Sequence, residues 1–409
     1  MTQTNESSLG ALYHPLQGEQ LENPYPFYVR ARKEEPIFFS PDLDTWVVTR
    51  YDDILTILSQ PDLFSSKDAL RPAVKFSPAV FVELSKGYPL VPNTVDNDGK
   101  DHLRFRNAVG KAFAPKRIKQ LEPFIKEVAT SLVDAFIDDH KAEMLSQFAY
   151  PLPLEVALFL IGVPKEDMDL AKKLSNSWAM LVNSPLPEEQ QVECARDFVS
   201  FQHYVIRLVN ERRTTPKEDL ISDLLETAPG EKPFDDAELA SVLTSTILAG
   251  HETVAHFIGN GLALLLEQPE RWQTLCAHPE HIPQAIEEIL RYDGPVHTFY
   301  RTTTQEVSVG GITFPAEILL MVVFGSANRD ETQFPQAEQF DMQRSPNRHL
   351  AFGHAVHFCI GAFLARKEGQ IALETLCQRL PNLQLAPQQT LSHDPAVRKR
   401  GFIRLDVVW

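Results

Sequence analysis

Phe352-Gly353-His354-Ala355-Val356-His357-Phe358-Cys359-Ile360-Gly361, continued directly by AFLARKEGQIALETL, is the most informative stretch of this 409-residue chain. The continuation has apolar residues at helical spacing, so Cys359 stands just before a helix N-terminus. Backbone N–H groups and the positive end of the helix dipole favour a thiolate at such a place. Gly353 and Gly361 flank the cysteine, and without a Cβ they let the backbone come close to a flat ligand.

A thiolate held in this way can donate electron density to a haem iron and favour O–O cleavage. Two blander readings use the same residues. One is a buried structural cysteine in a glycine-containing loop. The other is a zinc site built from His354, His357 and Cys359, for which no fourth ligand lies at a suitable spacing.

Working back along the chain, Asp235 and Glu238 form a capping-box signature, and no proline follows until Pro269. One unusually long helix is predicted between them. Residues 247–249 are apolar on every side, which marks a helix crossing the core. Gly250 in its interior costs about 1 kcal/mol relative to alanine. A local opening for dioxygen and water is one reason for it, with Thr253 as a hydroxyl and Glu252 as a proton-carrying acid. Close helix packing at Gly250 is the other.

Elsewhere PIFFSPDLDTWVVTRYDDILTILSQ, residues 36–60, predicts strand, turn, strand and helix. Helices are expected over residues 118–213, broken at Pro151, Pro153, Pro164 and Pro185 to Pro187, with a shorter one over 282–291. Gly310-Gly311 predicts a hairpin between residues 307–309 and 312–314, with further strands at 318–324 and 401–409. The fold class is therefore mainly α with small β-sheets. No linker divides the chain, so 1–409 is expected to form a single domain, with residues 1–21 a poorly ordered N-terminal segment. The first 21 residues lack a basic flank and apolar run, and Cys194, Cys276, Cys359 and Cys377 show no disulfide-like spacing, so a cytoplasmic protein off the membrane is expected. The net charge of −16 argues against nucleic acid as a partner.

These stretches together resemble the cytochrome P450 superfamily. The cysteine loop is similar to its haem-binding pattern F-x-x-G-x-(H/R)-x-C-x-G at Phe352, His357, Cys359 and Gly361. Ala355 stands where the family usually has glycine, so it is expected to keep negative φ or to carry left-handed strain of about 1–2 kcal/mol. Residues 249–253 resemble the oxygen-activation motif A-G-x-(D/E)-T through Ala249, Gly250, Glu252 and Thr253, with Val254 where many relatives have a second Thr or Ser. Glu288 and Arg291 match E-x-x-R, a structural pair whose partners look like the segment Asn328-Arg329-Asp330 plus Arg348. The segment EEPIFFSPDLDTWVVTRYDDI and the C-terminal third also look similar to haem domains of self-sufficient members with a fused reductase.

The resemblance implies a cytochrome P450 fold, with a long central helix across a haem b, and a monooxygenase that inserts one atom of O2 into a small-molecule substrate. It makes Cys359 the axial iron ligand, with Thr253 and Glu252 delivering protons. It assigns His102 and Arg106 to one haem propionate, and Arg301 and His357 to the other. Phe352, Gly353, Gly361, Ala249 and Gly250 complete the cofactor contacts. The substrate pocket is expected to use Leu90, Val95, Trp178, Leu181, Leu248, Val296, Phe299 and Val397, and so to take an apolar or aromatic molecule.

Electrons from NAD(P)H must arrive through a ferredoxin or flavodoxin and its reductase, or through a reductase domain absent from this chain. The chain is either a stand-alone protein or a haem domain cut from a longer one. Arg344, Arg348, Arg366 and Lys367 are a docking face or a solvated charge run. A peroxide-driven enzyme and a sensor or carrier of diatomic ligands are the competing functions.

Overall fold

A computed structural model of the chain describes residues 9–71, 75–183, 186–226 and 232–409. The hairpin Ile37–Ser40 and Thr45–Val48 forms where β-branched and aromatic residues alternate on either side of a polar turn. Thr45–Val48 pairs in parallel with Leu319–Val323, which pairs antiparallel with Thr298–Thr303, and Phe64–Ser65 closes that edge. This five-stranded sheet ties residues 37–65 to residues 298–323. The predicted hairpin Val307–Val309 and Ile312–Phe314 is present, with Gly310 and Gly311 at φ +58° and +83°. Of the expected C-terminal strand, Asp406–Val408 pairs with Lys141–Glu143 and Gln384–Leu385.

Helices make up the rest. Pro151 opens Pro151–Ile161, Pro164 precedes a 3-10 turn, and Pro187 caps Glu188–Thr214, while Pro185 lies outside the described residues. The long helix runs over Asp236–Leu266. Its capping box is complete: Asp235 Oδ1 accepts from the Glu238 N–H at 3.0 Å, and Glu238 Oε2 accepts from the Asp235 N–H at 2.9 Å. Pro151–Ile161, Glu188–Thr214, Ile282–Asp293 and Ala362–Arg379 pack around this helix, which therefore crosses the core.

The N-terminal segment corrects one expectation. Residues 9–22 are not loose: Leu9–Leu12 and Gly18–Glu22 are helical, and Leu9 and Tyr13 are buried. The Tyr13 ring stacks on Phe27 at 5.1 Å, and a Cβ on Gly10 would lie 1.8 Å from the Phe39 carbonyl oxygen. Apolar side chains in a polar-looking segment found a sheet face to cover. Residues 1–8 lie outside the described residues.

Candidate active site

A cavity of about 260 Å³ lies between the long helix and the cysteine loop. Ser245, Thr246, Ala249, Gly250, Thr253, Val254 and Phe257 line it from the helix. That is the i, i+3, i+4 stripe of one helical face. Leu248 falls off the stripe, which is why it does not line the cavity as expected. A Cβ on Gly250 would meet Ala157 at 3.9 Å, an ordinary contact, so close helix packing is not what calls for glycine there. The Thr253 hydroxyl donates to the Ala249 carbonyl at 2.6 Å, an i→i−4 bond of the kind that bends helices locally.

From the other element come Phe352, Gly353, His357, Cys359 and Gly361. The Cys359 N–H donates to the Phe352 carbonyl at 2.8 Å and closes the loop. Gly361 caps the helix Ala362–Arg379, and a Cβ on it would come within 3.9 Å of the Cys359 sulfur. Burial raises the thiol pKa, while the Gly361 and Ala362 N–H groups and the Arg106 and Arg366 guanidinium groups lower it. Gly353 has φ +70° and Ala355 has φ +53°, so the alanine occupies the left-handed region and the alternative of negative φ is ruled out.

Donor side chains gather at one edge. The His102 and His357 rings lie 4.2 Å apart, His357 Nε2 bonds to the Ser66 hydroxyl at 3.0 Å, and the Arg106 guanidinium donates to the Phe358 carbonyl at 2.7 Å. Arg301 donates to the Tyr300 carbonyl at 2.7 Å, and burial brings its pKa down to about 10. Burial first, then Arg301 and His102, lower His357 to about 4. His102 Nε2 is buried with no hydrogen-bond partner among the described residues. So is Glu368 Oε2 on the cavity wall, whose carboxyl burial holds well above the usual range. Buried polar atoms without partners are costly unless a ligand meets them. An apolar slot with a thiol on one wall and donors at one edge fits a flat macrocycle bearing carboxylates. Among the described residues no three metal-ligating side chains come together, so His354, His357 and Cys359 do not make the alternative zinc site.

The buried E-x-x-R pair lies beside this site. Arg291 donates to both Glu288 oxygens at 2.7 and 2.8 Å and to the carbonyls of Asn328 and Ala337 at 2.9 Å. The second arginine on Glu288 is Arg344, at 3.2 Å, not the Arg348 expected from sequence. The Asp341 N–H also binds Glu288, and this turns the following residues inward, whereas Arg348 is exposed and its carbonyl accepts from the Tyr51 hydroxyl. The basic cluster suggested as a docking face is largely paired off, Arg344 with Glu288, Arg366 with Glu287 and Lys367 with Glu122.

The cytochrome P450 sequence profile matches residues 278–396. A polyketide-biosynthesis cytochrome P450 of Bacillus subtilis is 33% identical over 401 residues, covering 96% of each chain. The chain belongs to the cytochrome P450 family. The 6-deoxyerythronolide B hydroxylase of Saccharopolyspora erythraea is 34% identical over 93% of each chain. The crystal structure of an intact type IV self-sufficient cytochrome P450 monooxygenase superposes with a TM-score of 0.94 at 33% identity, over 98% of this chain and 53% of that one. The protein is thus a cytochrome P450 monooxygenase of mainly helical fold, and membership implies haem, dioxygen, NAD(P)H-derived electrons, a redox partner and a small-molecule substrate. No helix among the described residues is long and apolar enough to cross a membrane.

Several expected pocket residues lie elsewhere. Val95, Val296 and Phe299 line the cavity. Leu90 is exposed at the surface. Trp178 stacks on Phe198 at 3.8 Å, and Leu181 is fully buried beside it against Val80, Cys194 and Ala195, because the apolar stripe of Met168–Asn183 is spent on neighbouring helices. Val397 lines a separate small cleft with Tyr13, Tyr28 and His297. Sequence reasoning missed Leu58, Phe324 and Leu290 on the wall, whose apolar character is indistinguishable from core in sequence. It also missed Lys399, whose ammonium lies 3.2 Å from Glu252 across 147 residues of chain.

Proposed function

We propose that this P450 binds haem b through the Cys359 thiolate and hydroxylates or epoxidises an apolar small molecule, drawing electrons from a separate ferredoxin or flavodoxin system or a reductase domain outside this chain. The observation that carries the reading is that Cys359 and Thr253, from two elements 106 residues apart, line one cavity. When bound, the haem supplies the oxygen chemistry. His102, Arg106, Arg301 and His357 would hold its propionates at the donor-rich edge. Phe352 and the glycines Gly250, Gly353 and Gly361 shape the slot. Leu58, Val95, Val296, Phe299 and Phe324 exclude water and orient an apolar substrate.

Thr253 would steady an ordered water in the cavity, and Glu252 would renew its proton. Burial raises the Glu252 pKa, opposed by Lys399, the direction expected of a carboxyl that carries a proton inward. The intact acid and alcohol favour dioxygen over peroxide as the oxidant. In the test, the reduced carbon monoxide adduct has the strongly red-shifted Soret band of a thiolate, and Cys359→Ala loses it. Turnover follows a surrogate ferredoxin and reductase and not peroxide alone; the opposite result overturns the electron-transfer reading. A compound library screened for Soret shifts identifies the substrate class.

A further inference from the structure

The ion pair on Glu252 is held by a part of the chain remote from its helix. Lys399 Nζ lies 3.2 Å from Glu252 Oε1 and 3.4 Å from Asp394 Oδ2. The side chains of Glu252 and Lys399 are each 15% exposed, whereas that of Asp394 is 38% exposed, so the three run from the interior outward. The segment carrying Lys399 is fixed on both sides. The Asp394 N–H donates to the Gly401 carbonyl at 2.9 Å, and a Cβ on Gly401 would strike His256 of the long helix at 1.8 Å. Lys399 is bridged antiparallel to Val296, the His297 N–H donates to the Arg398 carbonyl at 2.8 Å, and the Arg400 N–H donates to the Pro295 carbonyl at 2.9 Å. Pro295 and Val296 line the cavity, so the clamp on the acid and the substrate wall share one hydrogen-bonded ribbon.

We propose that Lys399 is a positioning residue for the proton-delivering acid, holding the Glu252 carboxylate at the inner end of a proton path whose solvent mouth is Asp394. The inference rests on the relay reading of Glu252. At each delivery Glu252 releases one proton toward the Thr253 water and regains one from solvent water at the Asp394 mouth, and the reduction of one dioxygen draws two such deliveries. Lys399 takes no part in the transfer itself, and no electrons move. The lysine has to be charged and long enough to reach, because its task is to hold an anion in a partly buried place that would otherwise reject it. The charged groups facing the acid include Lys399 and Arg398, which lower its pKa, and Asp394, which raises it. Tyr150, whose ionisation Glu252 opposes, and His251 and His256, whose protonation Lys399 opposes, stay neutral and do not compete for the proton.

The test compares wild-type holoenzyme with Lys399→Met, Lys399→Arg, Asp394→Asn and Glu252→Gln. Infrared difference titration, with the carboxyl band assigned by its loss in Glu252→Gln, reads the acid directly. Lys399→Met removes the favourable charge, so the Glu252 titration moves up by at least about one pH unit; Asp394→Asn moves it down, and Lys399→Arg restores it to near wild type. In turnover, Lys399→Met loses product relative to peroxide by about tenfold or more, with the pH profile shifted the same way, while the carbon monoxide band and the substrate-induced Soret shift stay as in wild type. An unmoved carboxyl titration in Lys399→Met, or a Lys399→Arg variant as impaired as Lys399→Met, overturns the proposal. A Glu252→Gln variant with the wild-type pH profile overturns the relay reading itself and the proposal with it. A Glu252→Gln variant that alters the profile while Lys399→Met does not overturns the proposal alone.

Discussion

Glu288 and Arg291, three residues apart on one helix, form a bidentate ion pair that is completely buried, with both side chains at 0% exposure. On a solvated helix such a pair contributes about 0.2–0.5 kcal/mol. Buried, each partner depends on the other, and Arg344, Asn347 and the Asp341 N–H supply the remaining donors to Glu288. Arg291→Ala therefore leaves a carboxylate stranded in the interior and costs about 3–5 kcal/mol, measured by urea unfolding and accompanied by haem loss. Arg344→Ala, at the rim of the same network, costs less than half as much. Equal losses from the two variants contradict this ranking.

Ala355 at φ +53° pays for a Cβ in a left-handed place where Gly353, two residues earlier, does not. Ala355→Gly relieves about 1–2 kcal/mol of strain and gives back about 0.5–1 kcal/mol in the freer unfolded chain. The net expectation is a small gain in melting temperature and equal or better haem retention. A lower melting temperature contradicts it.

Thr253→Ala removes the hydroxyl that bonds to Ala249 and faces the cavity, and touches no residue of the donor-rich edge. The thiolate Soret band and the substrate-induced shift stay unchanged, while NAD(P)H consumption is diverted to hydrogen peroxide. Product per NAD(P)H, followed with two chemically different substrates because a substrate hydroxyl can stand in for the lost one, checks this. Undiminished coupling on both substrates removes Thr253 from the relay.

Acid stability depends on Asp293, which accepts a hydrogen bond from Tyr25 and pairs with Arg400 at 2.7 Å. Burial pushes its pKa up, but Arg400, His393 and Tyr25 outweigh burial and hold it at about 2. An unfolded aspartate titrates near 3.9. The stabilisation is thus fully present above about pH 4 and is lost as the pH falls toward 2, in the amount of about 2–3 kcal/mol. Asp293→Asn lowers the melting temperature more at pH 7 than at pH 3. A pH-independent difference shows that Asp293 acts through packing alone.

Much of this protein was legible along the chain because it depends on local rules. A capping box and the absence of proline predicted the long helix, and paired glycines predicted the hairpin at Gly310-Gly311. The cysteine loop and the segment from Ala249 to Thr253 were recognisable because each packs its chemistry into a few consecutive residues. Helical spacing alone then puts Ala249, Gly250 and Thr253 on one face. What remained open was set by contacts between segments far apart in sequence. An apolar residue is written the same way whether it faces a cavity or a neighbouring helix, so Trp178 and Leu181 could be told from Val95 and Phe299 only once the helices were packed. Arginines are equally alike in sequence, and only the turn after Asp341 decided that Arg344 rather than Arg348 closes on Glu288. Lys399 met Glu252 through strand pairing near Val296, because electrostatic partners are chosen by proximity in space and leave no periodic trace in the order of residues.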